Sequence, residues 1–356
     1  MPAMTTVTEE LRRSVVKRPA PVVAVTVSLV LLIAAALLSM FTGAVRLPPA
    51  DVVRELIGAD ALTPRDHAIL WNIRLPRVAM GIIVGATLAI AGAAYQAVFR
   101  NPLADPYLLG VSSGAGLGVT LAVVSGTAVG FGAGGAGVVA AAFIGGVTAV
   151  GATYLVSRGV GHGGSATVVV LAGVAVAAFA NAAQTFIQQR NIETIQRVYS
   201  WMLGNLGVTR WESVALVLVP VAICWAAVVG AARVLDVMTV GDVEARMLGV
   251  DPGKARLALV AVATLGTAAV VSVSGLIGFV GIIVPHALRL VVGPGHRLLL
   301  PLTLIWGAIF LLLADTLART VLAPSELPVG VVTAAVGAPF FLFILRRFSR
   351  TGRAGR

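Results

Sequence analysis

The sequence predicts an all-α, polytopic membrane protein of about ten transmembrane helices, with both termini cytoplasmic. Three observations predict it. Hydrophobic residues make up 58% of the 356 and charged residues only 12%, whereas soluble domains carry about 25% charge. The mean hydropathy is +0.97. Several stretches free of Asp, Glu, Lys and Arg are long enough for a spanning helix, which needs about 20 apolar residues.

Those stretches run 19–45, 78–99, 106–157, 159–189, 213–232, 257–288, 298–314 and 327–345. The 52-residue run 106–157 holds two spans with a glycine-rich turn at Gly132–Gly137. The run 257–288 divides near Ser274-Gly275, and its second half reaches past Arg289. Ten spans result. Both tails are basic: Arg12, Arg13, Lys17 and Arg18 at one end, Arg346, Arg347, Arg350, Arg353 and Arg356 at the other. Basic flanks favour the cytoplasm, and ten spans place 17 of the 26 Lys and Arg inside and 9 outside. A nine-span topology would strand one basic tail outside. The organisation is therefore a basic tail at 1–18, one transmembrane domain at 19–347 with a large inside loop at about 234–256, and a basic tail at 348–356.

Composition also excludes classes. The net charge of +11 suits loops beside anionic lipid and names no nucleic-acid partner. One cysteine, Cys224, forms no intrachain disulfide and no metal cage. His67, His162, His286 and His296 have no metal-ligand spacing, so neither metal nor cofactor is expected. The apolar run after Arg18 is too long for a signal peptide and reads as the first membrane helix. Gly81-x-x-x-Gly85, Gly110-x-x-x-Gly114 and Gly114-x-x-x-Gly118 put small residues on one helix face, the usual means of close helix packing in lipid.

Five segments carry more information. Arg74-Leu-Pro-Arg77 precedes the second span on the outside, where positive charge is disfavoured; it reads as interface anchoring or as a site for an acidic partner. Gln96 to Pro106, continuing through Tyr107 to Gly116, holds Asn101, Pro102, Asp105 and Pro106, which do not suit an unbroken lipid-facing helix; it reads as a cytoplasmic turn or as a broken helix at a pathway. Leu235 to Pro252 reads as a short inside helix. Asp242 can cap it, Glu244 lies in its first turn, and Gly249 can end it. Val243 and Met247 share one face with Leu248 adjacent, an apolar stripe that suits a partner's groove or packing on the protein's own spans. Gly275 to Arg289 carries a prolyl break and His286-x-x-Arg289 near the inside face, which reads as a proton relay or as interface anchoring. Ala314 to Arg319, then Ser325 to Gly330, sets Asp315 and Arg319 at i, i+4, close enough to pair.

Together these segments resemble the FecCD family of importer permeases, which includes cobalamin, ferric-siderophore and haem permeases. RLPR, QAVFRNPLADPYLLGVSSGAGLG, GDVEARMLGV, GFVGIIVPHALRL and ADTLAR…SELPVGVVTAAVGAPFF each look like a family signature, in order from about Trp71 to Leu345. The resemblance implies a homodimer around one central pathway, two ATPase subunits on the cytoplasmic side, and an extracytoplasmic substrate-binding protein. By motif match, Gly241, Asp242, Glu244, Ala245, Met247, Leu248 and Gly249 form the helix that couples to the ATPase. Arg74, Arg77 and Arg319 match arginines that meet acidic residues of the binding protein. Asn101, Pro102 and Leu103, with Ser165, Ala166 and Thr167, match the cytoplasmic gate. The stretch Gly159–Gly164 is richer in glycine than the family pattern.

No Gly-x-x-x-x-Gly-Lys-Ser/Thr occurs, so ATP would be hydrolysed by another polypeptide and the chain itself is not expected to be an enzyme. The expected cargo is an iron complex, ferric siderophore first, with haem and cobalamin as alternatives. The rival class is an ion-coupled secondary transporter, which would use an acid at mid-membrane, Asp315 being the best candidate. A membrane enzyme would need a cluster of His, Asp or Glu near one face, and the sequence offers none.

Overall fold

The structure, a computed structural model, describes residues 20–43, 45–127, 135–159 and 166–353. Among these, seven helices are long and apolar enough to cross a membrane and three more are shorter and apolar. The long ones are α1 (Pro21–Phe41), α4 (Leu75–Val98), α6 (Ala136–Gly159), α7 (Ala166–Arg190), α9 (Trp211–Gly230), α12 (Pro252–Ser274) and α14 (His296–Thr320). The short ones are α5 (Val111–Val124), α13 (Val280–Val292) and the apolar part of α15 (Val329–Arg353). Between them lie α2 (Pro49–Leu56), α3 (Pro64–Ile69), α8 (Ile192–Met202), α10 (Ala232–Val240) and α11 (Asp242–Met247). A π-helical turn, Leu70–Arg74, joins α3 to α4, and a 3₁₀ turn, Pro106–Leu109, precedes α5. No strand occurs among the described residues.

Both divided runs hold two helices, α5 and α6 in one and α12 and α13 in the other; of the turn expected at Gly132–Gly137, residues 132–134 lie outside the described ones and α6 has begun by Ala136. The second division lies at Gly275–Phe279, and α13 continues straight through Pro285. The prolyl break expected there is therefore a correction. A membrane helix keeps an internal proline when neighbouring groups satisfy the carbonyl that it leaves without a donor.

α4 is the axis of the fold. From Ile83 to Val98 every residue is buried, the mark of a helix that is apolar all round and surrounded by protein. It packs on α14, α12, α13 and α9, while α5, α6 and α7 form a second group. α1 and α7 bury few residues and lie at the periphery. Backbones meet where glycines face each other. A Cβ on Gly85 would collide with the Gly307 carbonyl, and one on Gly114 with that of Gly145. Gly92 likewise meets the Gly281 carbonyl. Gly110 departs from the expected stripe. It lies just before α5 in the left-handed region, φ +88°, with no atom closer than 3.6 Å to a built Cβ.

Gly85→Ala should thus destabilise the protein by about 1–3 kcal/mol, the usual cost of overpacking. Gly151, which has open space around its Cα, serves as the control: Gly151→Ala should be neutral or stabilising, because alanine is the better helix former. Thermal unfolding in one detergent compares the two. Equal effects would contradict the packing described.

Candidate functional site

The five sequence segments fold into three sites. The first lies at the end of the bundle where α4 begins. Arg77 donates to Asp315 at 2.8 Å and to Glu326 at 2.9 Å, and Arg319 pairs with the same Asp315 at 3.1 Å. The i, i+4 pair expected from the sequence therefore forms, with Arg77 as a third member. Arg319 also donates to the Ser39 carbonyl at 3.1 Å and to the Thr42 carbonyl at 2.9 Å. Arg74 donates to the carbonyls of Met40 and Val45. The Ser39 and Met40 carbonyls belong to the last turn of α1, where carbonyls lack helical partners and attract cations, and those of Thr42 and Val45 follow it. Arg74, Arg77 and Arg319 are only 5%, 7% and 8% exposed. In this arrangement they grip their own chain, and Glu326, at 46% side-chain exposure, is the member that faces outward.

The second site joins the Gln96–Tyr107 segment to the 275–289 segment. Pro285 has no N–H, so it leaves the carbonyl of Gly281, four residues earlier, without a helical donor. Gln96 Nε2 supplies that donor at 2.9 Å. Gly92, one turn before Gln96, lets the two backbones come close enough. The side-chain oxygen of Gln96, Oε1, in turn accepts from Arg289 Nη1. Tyr107 bridges the break itself: its hydroxyl donates to the Ile277 carbonyl at 3.1 Å and accepts from the Ile277 N–H at 3.2 Å. Asp105 is buried; it accepts from the Tyr107 N–H at 2.9 Å, and its other oxygen lies beside Gly281 in the first turn of α13. The positive end of a helix favours an acid there. Gly281 stands beside Leu88 and Gly92, about 20–25 Å along α4 from Leu75 at 1.5 Å per residue. Irregular backbone at that depth is tolerated because protein surrounds it. The Gln96–Gly116 segment combines an exposed turn at Asn101–Leu103 with buried irregular backbone at Asp105–Leu109.

The third site lies at the opposite end from Arg77. α11 ends in a Schellman motif: the Gly249 N–H donates to the Arg246 carbonyl at 3.0 Å and the Val250 N–H to the Ala245 carbonyl at 2.9 Å. Gly249 is left-handed at φ +80°, as its place in the sequence suggested. Val243, Met247 and Leu248 are exposed at 57%, 82% and 64%. Ala245 is buried and faces the bundle. Asp242 does not cap the helix. The helix begins at Asp242 after Gly241, with no side-chain cap, and the carboxylate turns to Arg100 at 3.1 Å and Arg256 at 3.2 Å. Charge-assisted bonds to two guanidiniums outcompete one backbone N–H. The cap belongs instead to the next helix. Asp251 accepts from the N–H groups of Lys254 and Gly253, which hold its carboxyl below the usual carboxylate range. Glu244 lies in the first turn of α11, its carboxylate folded back over Gly241.

Asn101 and Pro102 are exposed at this end and Leu103 is half-buried. Asn101 Oδ1 accepts from the Leu103 N–H at 2.9 Å, which fixes the corner. Ala166 and Thr167 open α7. Ser165 and the glycine-rich stretch before it lie outside the described residues. Sequence reasoning missed Gln96, Tyr107, Arg100 and Arg256 as working residues. Pro285 was the available signal for Gln96, since a proline within a buried helix demands a donor from elsewhere. Among the described residues no three His, Cys, Asp or Glu side chains gather as a metal site.

Three comparisons bear on these sites. The model of the FecCD transport family matches residues 31–347. The chain is 44% identical over 280 residues to the cobalamin import system permease protein BtuC of Halobacterium salinarum, covering 79% of this chain and 74% of that one. It is 41% identical over 290 residues to the hemin transport system permease protein HmuU of Yersinia pestis, covering 80% and 85%. It is 38% identical over 330 residues to the vitamin B12 import system permease protein BtuC of Escherichia coli, covering 90% and 94%. A solved structure, described as an inward-facing conformation of a metal-chelate type ABC transporter, superposes with a TM-score of 0.79 at 28% identity, over 91% of this chain and 98% of that one. The match spans all three sites and nearly every helix, and the chain is a multi-pass transport permease of the cytoplasmic membrane that belongs to the FecCD transport family.

Proposed function

We propose that this chain is the permease subunit of an ATP-driven importer. Two copies form the pathway, two ATPase subunits dock on the cytoplasmic side, and an extracytoplasmic binding protein delivers a bulky metal chelate. A ferric siderophore is the first cargo to test, followed by haem and cobalamin, the classes named for its relatives. In this reading the Asp242 end and both termini face the cytoplasm, in keeping with the basic tails.

The observation that carries the proposal is α11. Its short apolar stripe is exposed at the end of the bundle, held in shape by its own terminus and by Ala245 beneath. Such a stripe suits the groove of a partner. Gly241 and Gly249 bound the helix, and Glu244 lies in its first turn. The rival ion-coupled mechanism needs an acid poised to bind an ion at mid-membrane. Asp315 instead lies at one end and is held by two arginines.

α7 supports the dimer. Its outer half shows Asn181, Thr185 and Gln189 on one exposed face, with the exposed rings of Phe179 and Phe186 to one side of it. A polar row on a membrane helix belongs beside water rather than lipid, and a pathway between two copies would supply it. Asn101, Pro102, Leu103, Ala166 and Thr167 then stand at its cytoplasmic mouth as the gate.

Proteoliposomes holding the permease, its ATPase and its binding protein test the assignment. Met247→Asp combined with Leu248→Asp should leave the fold intact and abolish ATP-driven uptake, and the permease alone should take up nothing under a proton or sodium gradient. Normal uptake by the double variant, or gradient-driven uptake without ATPase, would overturn it.

Docking of the binding protein belongs at the Arg77 end. Arg77 divides its guanidinium between buried Asp315 and half-exposed Glu326. An acidic residue of the binding protein would reach Arg77, with Arg74 and Arg319 behind it, by displacing Glu326. Association should slow as salt rises, since screening acts over about 8 Å at physiological ionic strength. Glu326→Gln should accelerate association, measured by stopped flow on the reconstituted complex. Unchanged kinetics in both tests would leave the three arginines only their structural work on α1.

A further inference from the structure

We infer that Arg100 is the relay that carries motion of the ATPase-docking helix to the cytoplasmic gate. The inference rests on the importer reading above and adds the residue that links its two moving parts.

The argument begins with the backbone. α4 ends in a Schellman motif: the Arg100 N–H donates to the Ala97 carbonyl at 3.2 Å and the Asn101 N–H to the Gln96 carbonyl at 3.1 Å. The central residue of that motif must be left-handed and is usually glycine, which bears no Cβ. Here it is Arg100, at φ +49°. A non-glycine residue in that region costs about 1–2 kcal/mol and persists only where its surroundings hold it. The side chain therefore has to serve a purpose that glycine could not.

Its contact supplies the purpose. Arg100 Nη2 lies 3.1 Å from Asp242, the first residue of α11. Arg256, near the start of α12 and buried, holds the other carboxylate oxygen at 3.2 Å. Asp242 is thus a pivot between three elements: the docking helix, the corner Arg100-Asn101-Pro102-Leu103, and the span that follows the docking loop. Asp242, its side chain 33% exposed, meets this clamp while Val243, Met247 and Leu248 are exposed beside it. A push on the outward stripe moves Asp242, and Asp242 moves Arg100. Arg100 is bonded directly to Asn101, so the gate corner moves with it. The same corner continues through Asp105 and Tyr107 to the mid-depth break at Ile277. One displaced carboxylate therefore reaches both ends of the Gln96–Tyr107 segment.

The test uses a substitution that separates relay from scaffold. Arg100→Gly removes the guanidinium and at the same time relieves the left-handed backbone. A residue of structural importance would lower the melting temperature when lost. The relay account predicts an unchanged or higher melting temperature, unchanged binding of the ATPase, and ATP consumed per cargo molecule raised about fivefold, a partly exposed ion pair being worth up to about 1 kcal/mol. Arg100→Lys, which keeps the charge, should restore much of the coupling. The measurement is made on the full complex in proteoliposomes, with ATP hydrolysis and cargo uptake followed together. Normal coupling in Arg100→Gly with a wild-type complex that transports would overturn the relay and leave the importer reading standing. A wild-type complex with no ATP-driven uptake would instead remove the importer reading itself.

Discussion

One hydrogen bond sets the terms for the centre of this protein. Pro285 removes a donor from a helix buried in the membrane, and the Gly281 carbonyl is left to be satisfied by another element. Gln96 does so at 2.9 Å. In water the solvent would take that role. Between helices in a bilayer, an unpaired carbonyl costs several kcal/mol, so α4 and α13 have to stay in register. That requirement explains the neighbours. Gly92 and Gly281 permit the approach, Arg289 fixes the other end of the Gln96 amide, and Tyr107 closes the break at Ile277.

The two ends of the bundle show the same economy with charge. At one end Arg74 and Arg319 close the open carbonyls of α1, and Asp315 neutralises the Arg77–Arg319 pair. At the other, Asp242 is shared between Arg100 and Arg256. Each network ties helices far apart in sequence and leaves one feature facing outward: Glu326 at the first, the α11 stripe at the second. In the importer reading proposed above both outward features would face partner proteins, and the mid-depth lock lies between them on the same helix, α4. Arg77 stands near one end of that helix and Arg100 just beyond the other.

Much of the fold is legible in the sequence because the bilayer writes it there. Charge-free runs mark the helices, and Ser274-Gly275 and the glycines near 132–137 mark the divisions. The short α11 is legible for a local reason, since Gly249 and the acidic first turn lie within eight residues. What is not legible is which segments meet. Gln96 and Gly281 are 185 positions apart, and Arg77 and Asp315 are 238 apart; no local pattern encodes those pairings. Two misreadings share this origin. Asp242 looks like a cap until Arg100 and Arg256 are brought beside it, and Pro285 looks like a helix end until Gln96 supplies the missing donor. The basic Arg74 and Arg77 look exposed for the same reason, because α1 and Asp315 arrive from elsewhere in the chain.

Hydrogen–deuterium exchange of the purified permease tests the central lock directly, by comparing Gln96→Leu with the parent protein. The account predicts that amides in peptides covering 275–284 exchange at least about tenfold faster in the variant, since a buried group left unpaired costs about 1–3 kcal/mol. Peptides from α1, which packs on α14 and on the far end of α4 around Val78, should exchange as before. Unchanged protection across 275–284 in the variant would contradict the account and return Gln96 to ordinary packing.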